Sequence, residues 1–200
     1  MATQKKTDKR DRIIQAAAAV FAEKGFAGTV VADIAGRAGI GKGTIYEYFR
    51  KKEDVFFAVF EWWMEEALGA GTAGVPDAGG RAADRLRSLC NSVMQMAVDM
   101  KPMYGLVLEC WAASASSPLR ERFRDAFRRA YGDFRGVVET IIQDGITRGE
   151  FDSTIDPRGV AASLFGSWDA LGLQAWFDDA FDPQDAGNAF VEVVIRGMRA

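Results

Sequence analysis

Apolar residues recur at helical spacing along nearly the whole chain, and this pattern limits the fold more than any other feature. In the first segment Ile13, Ala17 and Val20 lie three or four residues apart, which places them on one face of a helix. No stretch alternates apolar and polar residues as a half-buried strand does, and no Asn-Gly or Asp-Gly pair separates two candidate strands. The sequence therefore predicts an all-α fold of about nine helices.

Proline and glycine mark where these helices begin and end. Ser117, Asp156 and Asp182 each precede a proline, and a side-chain oxygen at that position caps a helix whose first residue is proline. Gly25 follows the first helix and suits a left-handed conformation. The predicted helices cover about residues 7–24, two short segments within 29–49, 53–69, 80–100, 102–113, 118–148, 157–180 and 183–199, with a glycine-rich loop over 69–80.

Charge is unevenly distributed along the chain. Residues 1–54 contain eleven Lys and Arg against seven Asp and Glu, whereas residues 55–200 contain fourteen against twenty-one. A basic first segment on an acidic remainder indicates that only the first segment contacts a polyanion such as DNA. An unevenly charged solvated surface is the alternative.

The chain contains no histidine and only two cysteines, Cys90 and Cys110. Because histidine is the commonest general base and metal ligand, its absence counts against an enzyme, and we expect no catalytic residue, no metal site and no cofactor. The polar start of the chain shows no secretory signal, which favours a cytoplasmic protein with buried free thiols over a redox pair. The most apolar stretch, residues 159–177, contains too many polar residues and glycines for a lone membrane span.

Residues 29–49 predict two short helices that meet at Gly39 and form an angled pair. Two glycines in the second helix, Gly41 and Gly43, allow its backbone to approach base edges closely. Thr44 offers a hydroxyl and a methyl group to a base, and lysines supply charge to phosphates. The residues predicted to face the interior are Val31, Ile34, Ala35, Ala38, Ile45 and Phe49. A solvated surface helix with a basic end is the alternative interpretation.

These residues carry a resemblance to the TetR family of regulators. The match covers the first helix and then Phe26, Thr29, Asp33-Ile34-Ala35, Ala38-Gly39-Ile40, Gly43-Thr44-Ile45-Tyr46, Tyr48-Phe49 and Lys52-Glu53, with a looser match over 148–152, 156–157 and 168–171. The resemblance implies a helix-turn-helix DNA-binding domain over residues 1–52 and a helical ligand-binding and dimerisation domain over 53–200. The predicted DNA-binding residues are Thr29, Arg37, Gly41, Lys42, Gly43, Thr44, Tyr46, Tyr48 and Lys52.

Two positions depart from the family pattern. Val30 and Gly41 stand where the family often has hydroxyl residues, so Thr29 is left as the hydroxyl expected to contact a phosphate. The resemblance also implies that a ligand tilts the fourth helix and changes the spacing of two recognition helices in a dimer. Such a ligand acts only by binding the two states differently.

The helix over residues 157–180 has two apolar faces. One face packs within its own domain, and the other carries small residues that suit close contact with a second copy of the chain. The predicted dimer interface consists of Ala162, Gly166, Ala170, Leu173, Phe190, Val194 and Gly197. A central helix in a monomer is the alternative.

An interior rich in tryptophan and methionine predicts an adaptable apolar pocket. The candidate ligand-binding residues are Trp63, Met94, Met100, Met103, Tyr104, Glu109, Trp111, Phe127, Tyr131, Phe165, Trp168 and Asp169. We therefore expect a repressor that is released from palindromic double-stranded DNA by a small, largely apolar or aromatic effector. The alternatives are a DNA-binding regulator without a small-molecule ligand and an all-helical protein that binds lipophiles.

Overall fold

A computed structural model describes residues 2–73 and 79–199, and over those residues it is all-α. The elements are α1 (Ala2–Gly28), α2 (Val31–Ala38), α3 (Lys42–Tyr48), α4 (Lys52–Ala73), α5 (Ala82–Asp99), a 3-10 turn (Lys101–Met103), α6 (Tyr104–Ser116), α7 (Arg120–Thr147), α8 (Pro157–Phe177) and α9 (Pro183–Met198). The described residues contain no strand beyond one isolated antiparallel bridge between Phe151 and Arg199. The predicted fold class and the number of helices are confirmed.

The contacts divide the chain into two compact units. Unit 1 comprises the described residues up to Glu65 together with Pro102–Phe127, and unit 2 comprises those of Glu66–Lys101 together with the residues from Arg128 onward. Helices α4 and α7 each contribute residues to both units. No helix in the described part is long and apolar enough to cross a membrane.

Aromatic side chains form the centre of unit 1. Phe123 of α7 is fully buried, and its ring centroid lies 5.1 Å from that of Phe57 and 5.2 Å from that of Phe60. On the side facing α1, the centroids of Phe56 and Phe26 lie 4.7 Å apart. Each such tilted or edge-on pair contributes about 0.5–1.5 kcal/mol beyond the burial of apolar area, so this cluster fixes α1, α4 and α7 against one another.

Unit 2 is built around α5, α7, α8 and α9, and its largest fully buried side chain is that of Trp168. A close approach in this core requires glycine. A Cβ added at Gly145 of α7 would lie 2.6 Å from Cε2 of Phe151 and 2.8 Å from Cβ of Ala82, both of which are buried. The Phe151 segment and the start of α5 can therefore pack directly on the α7 backbone.

Two of the three predicted proline-linked caps are formed as expected. The Asp156 carboxylate accepts hydrogen bonds from the second and third residues of α8 at 3.1 Å each. Asp182 does the same for α9, at 2.8 and 3.2 Å. Ser117 Oγ accepts from the Leu119 N–H at 3.1 Å, but α7 begins only at Arg120, so this bond stabilises a turn before the helix.

The prediction of a loop over residues 69–80 is wrong at its start, because α4 continues to Ala73. Gly69 has open space around it and keeps helical hydrogen bonding at a cost of about 1 kcal/mol relative to alanine. Residues 74–78 of that loop lie outside the described residues. At the other end of the chain α8 ends at Phe177, three residues before the predicted end.

Candidate nucleic-acid interface

The turn between α2 and α3 has the geometry predicted for an angled helix pair. Gly39 adopts the left-handed conformation, with φ of 64° and ψ of 38°. Its N–H donates to the Gly36 carbonyl at 3.2 Å, and the next N–H donates to the Ala35 carbonyl at 3.1 Å. A guanidinium from α1, that of Arg12, donates to the last carbonyl of α2 at 2.9 Å. All six residues predicted to face inward are buried, so the prediction of this helix pair is confirmed.

One side of α3 is packed and the opposite side is open. Ile45 is fully buried, while Lys42, Gly43 and Tyr46 are exposed. Thr44 and Tyr48 lie between these two sides and are half-buried. A Cβ added at Gly41 or Gly43 would meet no other residue within 4 Å. The structure therefore places the predicted recognition residues of α3 on a surface that a duplex can approach.

Thr29 does not belong to that surface. Its side chain is fully buried, and its hydroxyl donates a 2.7 Å hydrogen bond to the Gly25 carbonyl. The expectation that this hydroxyl contacts a phosphate is therefore wrong for the structure described here. Its neighbour Val30 occupies the N-cap position of α2 and is 58% exposed, but it has no side-chain oxygen with which to cap the helix.

The first turn of α2 is stabilised by Asp33 instead. The Asp33 carboxylate accepts a hydrogen bond from the Val30 N–H at 3.1 Å and lies 3.1 Å from the Lys24 ammonium. The hydrogen bond from Val30, followed by that from Lys24, lowers the pKa of Asp33 below its ordinary value. A carboxylate near the start of a helix also interacts favourably with the helix dipole.

Two of the predicted DNA-binding side chains bond to other groups of the same chain. Arg37 donates to both carboxylate oxygens of Glu23 at 2.7 Å. The Lys52 ammonium donates to the carbonyls of Phe26 and Thr29 at 2.6 and 2.7 Å, and it lies 4.3 Å from the centroid of the Phe26 ring. The expected role of Lys52 as a phosphate contact is therefore corrected, because its charge stabilises the turn that leads into α2.

The same turn is held from α6 by Glu109. The Glu109 carboxylate accepts a hydrogen bond from the Phe26 N–H at 2.8 Å. It also lies against Gly25, whose positive φ of 68° redirects the chain after the main part of α1. We define residues 25–29, which run from the kink at Gly25 through the end of α1, as the α1–α2 turn. Lys52 of α4 and Glu109 of α6 both bind its backbone, so the position of this turn depends on both helices.

The predicted ligand residues are divided between the two units. In unit 1, Trp63 and Met103 line a small apolar cavity of about 10 Å³ together with Val59, Phe60, Leu106, Val107 and Cys110. The indole N–H of Trp63 is buried and has no hydrogen-bond partner among the described residues. Tyr104 and Phe127 are buried in the same unit, and Trp111 is half-buried. Glu109 binds the α1–α2 turn.

The remaining candidates belong to unit 2. Met94 and Trp168 are core residues, and Met100 is half-buried. The Tyr131 hydroxyl donates to the Asp169 carboxylate at 3.1 Å, and the Phe165 ring packs edge-on against Tyr131. Burial raises the pKa of Asp169, and the hydrogen bond from Tyr131 opposes part of that rise.

Four of the seven predicted dimer residues are small and exposed. Ala162, Gly166 and Ala170 of α8 are exposed, as is Gly197 of α9. Leu173, Phe190 and Val194 are half-buried. The opposite face of α8 is covered within unit 2. The sequence therefore correctly separated the two faces of α8.

Both cysteines are free and buried, Cys110 in unit 1 and Cys90 in unit 2. Burial raises the pKa of the Cys90 thiol to about 12 and raises that of Cys110 as well. Thiols with raised pKa values are poor nucleophiles, because the thiolate is the reactive form. Among the described residues, no group of three or more Cys, Asp or Glu side chains could hold a metal ion.

Comparison with known proteins agrees with this architecture. The model for bacterial regulatory proteins of the TetR family matches residues 13–59, and that for the tetracyclin repressor-like C-terminal domain matches residues 82–187. The fatty acid metabolism regulator protein of Bacillus subtilis is 24% identical over 197 residues, which cover 98% of each chain.

Two solved structures show the same fold. A TetR transcription regulator from Haloarcula marismortui has a TM-score of 0.83 at 21% identity and covers 97% of this chain and 100% of its own. FadR from Bacillus subtilis in complex with stearoyl-CoA has a TM-score of 0.74 at 24% identity and covers 94% of this chain and 98% of its own. The chain therefore belongs to the TetR family of bacterial regulatory proteins and is a DNA-binding transcriptional regulator.

Proposed function

We propose that this chain is a repressor that binds a palindromic operator as a homodimer and dissociates when an apolar effector binds. Residues 1–52 read the DNA in this proposal, and residues 53–200 bind the effector and form the dimer. The exposed face of α3 carries the proposal, because Ile45 fixes the helix from one side while Lys42, Gly43 and Tyr46 remain free to meet a major groove.

The proposed contacts of α3 are of two kinds, one to phosphates and one to bases or the groove wall. Lys42 neutralises a phosphate and contributes affinity and register but little sequence information. Thr44 and Tyr46 contact base edges or the groove wall, where a hydroxyl or an aromatic face can distinguish base pairs. Gly41 and Gly43, on either side of Lys42, have no side chain, so the backbone at the start of the helix can approach the DNA closely.

Two copies of α8 and α9 form the proposed dimer interface. The exposed small residues Ala162, Gly166 and Ala170 of α8 and Gly197 of α9 allow two helices to approach closely, and an apolar side chain, Val193, is 65% exposed on α9. A two-fold dimer of helix-turn-helix units places its recognition helices about 34–36 Å apart, one turn of DNA. The operator is then a palindrome with half-sites at that spacing.

The proposed effector carries an acyl or aromatic apolar part. The unit 1 cavity is lined entirely by apolar residues and Cys110, and the related FadR was solved with stearoyl-CoA. A cavity of about 10 Å³ holds no acyl chain, so binding requires lining side chains such as Met103 to move, which an unbranched thioether side chain does readily.

Displacement of α4 or α6 by the effector would be transmitted through the α1–α2 turn. Lys52 and Glu109 are bonded to the backbone of that turn, and the turn leads directly into α2. Moving either helix would therefore shift the helix-turn-helix and weaken the fit of the dimer to its two half-sites. The effector acts by binding the displaced state more tightly than the DNA-bound state.

A genomic-fragment selection followed by fluorescence polarisation tests the proposal. We expect a palindromic fragment to bind with a steep dependence on salt, and stearoyl-CoA or a shorter acyl-CoA to release it. Sedimentation of the free protein should give a dimer. Weak, sequence-indifferent binding at all salt concentrations, or a monomer that binds a single half-site, would contradict the proposal.

A regulator without a small-molecule ligand is the second candidate, and the small size of the unit 1 cavity favours it. The same titration separates the two, since this candidate predicts specific DNA binding that no apolar ligand reverses. Free coenzyme A without an acyl chain serves as the control ligand.

A further inference from the structure

Glu47 is the one acidic residue of α3, and it lies on the outward side of that helix. At about 100° of rotation per residue, Gly43 and Glu47 lie roughly 160° and 200° around the helix from Ile45. Ile45 is 1% exposed and marks the packed side, so Gly43 and Glu47 point directly away from the protein. A duplex that meets Lys42 and Tyr46 on the flank also meets Glu47.

The Glu47 side chain is exposed and has no hydrogen-bond or ion-pair partner within the part of the chain that the structure describes. It is also unshielded on the helix itself, because the residue one turn before it is Gly43, which has no side chain. The open space around Gly43 lets a base pair come close to the helix axis, within reach of the carboxylate. The carboxylate therefore has no structural role that explains its position.

A carboxylate in a DNA groove is repelled by the phosphates and loses water, so it must gain a hydrogen-bond donor there. The donors on the major-groove edge are the amino groups of cytosine and adenine. Adenine presents its N7 acceptor beside the amino group, and that acceptor faces a carboxylate unfavourably. Cytosine presents its N4 amino group without such an acceptor on its own edge, and carboxylates accept from it.

We infer that Glu47 is a specificity-determining residue whose carboxylate accepts a hydrogen bond from the N4 amino group of one cytosine in each half-site. This inference rests on the proposed use of α3 as the recognition helix. Glu47 also has a second effect, because a negative charge at the centre of the interface weakens binding to every sequence that lacks the cytosine. Glu47 therefore adds specificity by lowering non-specific affinity.

Two substitutions with different chemistry separate these effects. Glu47→Ala removes the acceptor, so the cytosine preference should disappear and affinity for random-sequence DNA should rise severalfold. Glu47→Gln places an amide in the same position, and an amide pairs with the N6 and N7 atoms of adenine. The preferred base should then change from cytosine to adenine, with roughly a tenfold loss of affinity for the wild-type operator per half-site.

The experiment is a selection from a random DNA library with the full chain and the two variants. Glu65→Gln is the matched control, because Glu65 is exposed on α4 and the substitution changes the net charge equally. We expect wild type and Glu65→Gln to select the same palindrome with one symmetric pair of cytosines that the Glu47 variants no longer select. Unchanged melting temperatures would show that all variants are folded.

The failures of the two proposals are distinguishable. If wild type selects a palindrome and Glu47→Ala selects the same palindrome with every preference intact, the role of Glu47 is refuted while DNA recognition by the dimer stands. If wild type selects no palindrome, the proposed function fails and the role of Glu47 fails with it.

Discussion

Replacing Lys52 by methionine tests whether its ammonium group holds the α1–α2 turn or contacts DNA. Methionine keeps an unbranched stem of similar length and removes only the charged donor. The substitution abolishes the hydrogen bonds to the carbonyls of Phe26 and Thr29 at 2.6 and 2.7 Å and the approach to the Phe26 ring. The Thr29 carbonyl would then have to bond to water in a partly buried turn, whereas the Phe26 carbonyl would keep its 3.4 Å hydrogen bond from the Thr29 N–H.

The expected loss of stability follows from these interactions. A hydrogen bond to a charged group contributes about 1.5–3 kcal/mol, and a cation over an aromatic ring contributes about 0.5–1 kcal/mol where it is exposed. Because one ammonium makes both hydrogen bonds and water can replace part of each, we expect a total loss of about 2 kcal/mol. For a protein of this size that lowers the melting temperature by roughly 4–8 °C.

Lys42→Met is the matched control, since Lys42 is exposed and has no partner among the residues that the structure describes. Its melting temperature should equal that of wild type. The plot of log affinity for DNA against log salt concentration should instead become less steep, with a slope smaller in magnitude by about 0.9 for each phosphate that the variant no longer neutralises. Lys52→Met should leave that slope unchanged while weakening affinity at every salt concentration.

The assay combines thermal melting at fixed ionic strength with polarisation titrations between about 50 and 200 mM salt, the range over which counterion release changes affinity most visibly. A Lys52→Met variant that melts with wild type and shows the reduced salt slope would refute the structural role and restore the phosphate contact.

Two further predictions concern unit 2. Gly145→Ala should lower the melting temperature, because overpacking against Phe151 costs about 1–3 kcal/mol and outweighs the gain in helix propensity. Gly136 lies in open space on the same helix, so Gly136→Ala should increase the free energy of unfolding by up to about 1 kcal/mol and raise the melting temperature. Equal effects at the two glycines would contradict the close approach. Burial raises the pKa of Asp169 in the folded chain above its ordinary 3.8, although the hydrogen bond from Tyr131 opposes part of that rise. The wild-type chain therefore loses stability as the pH rises from about 3.8 through the raised pKa, because the buried carboxyl group becomes charged. Asp169→Asn does not titrate, and its melting temperature should therefore exceed that of wild type at pH about 7 and converge with it at pH about 3; a larger advantage at the lower pH would show that the carboxylate is stabilised by its surroundings.

Much of the candidate DNA interface could be predicted because its determinants are local. Gly39 adopts a left-handed conformation that other residues avoid, and the inward side chains of α2 recur at the helical period within eight residues. The caps at Asp156 and Asp182 likewise depend on amides only two or three residues away. Hydrogen bonds and steric limits of such short range are present in the sequence itself.

The sequence by itself determined that the chain is helical, where most helices begin, which face of α3 is buried, and that α8 has two distinct apolar faces. Only the tertiary structure decided how particular polar side chains are used. Lys52 binds carbonyls 23 and 26 residues earlier, and Glu109 binds an amide 83 residues earlier. These two side chains reach the backbone of their shared turn only after α1, α4 and α6 have packed together. A buried backbone group needs a hydrogen-bond partner. Which charged side chain lies close enough to bond to it is set by the packing of helices that are distant in the sequence.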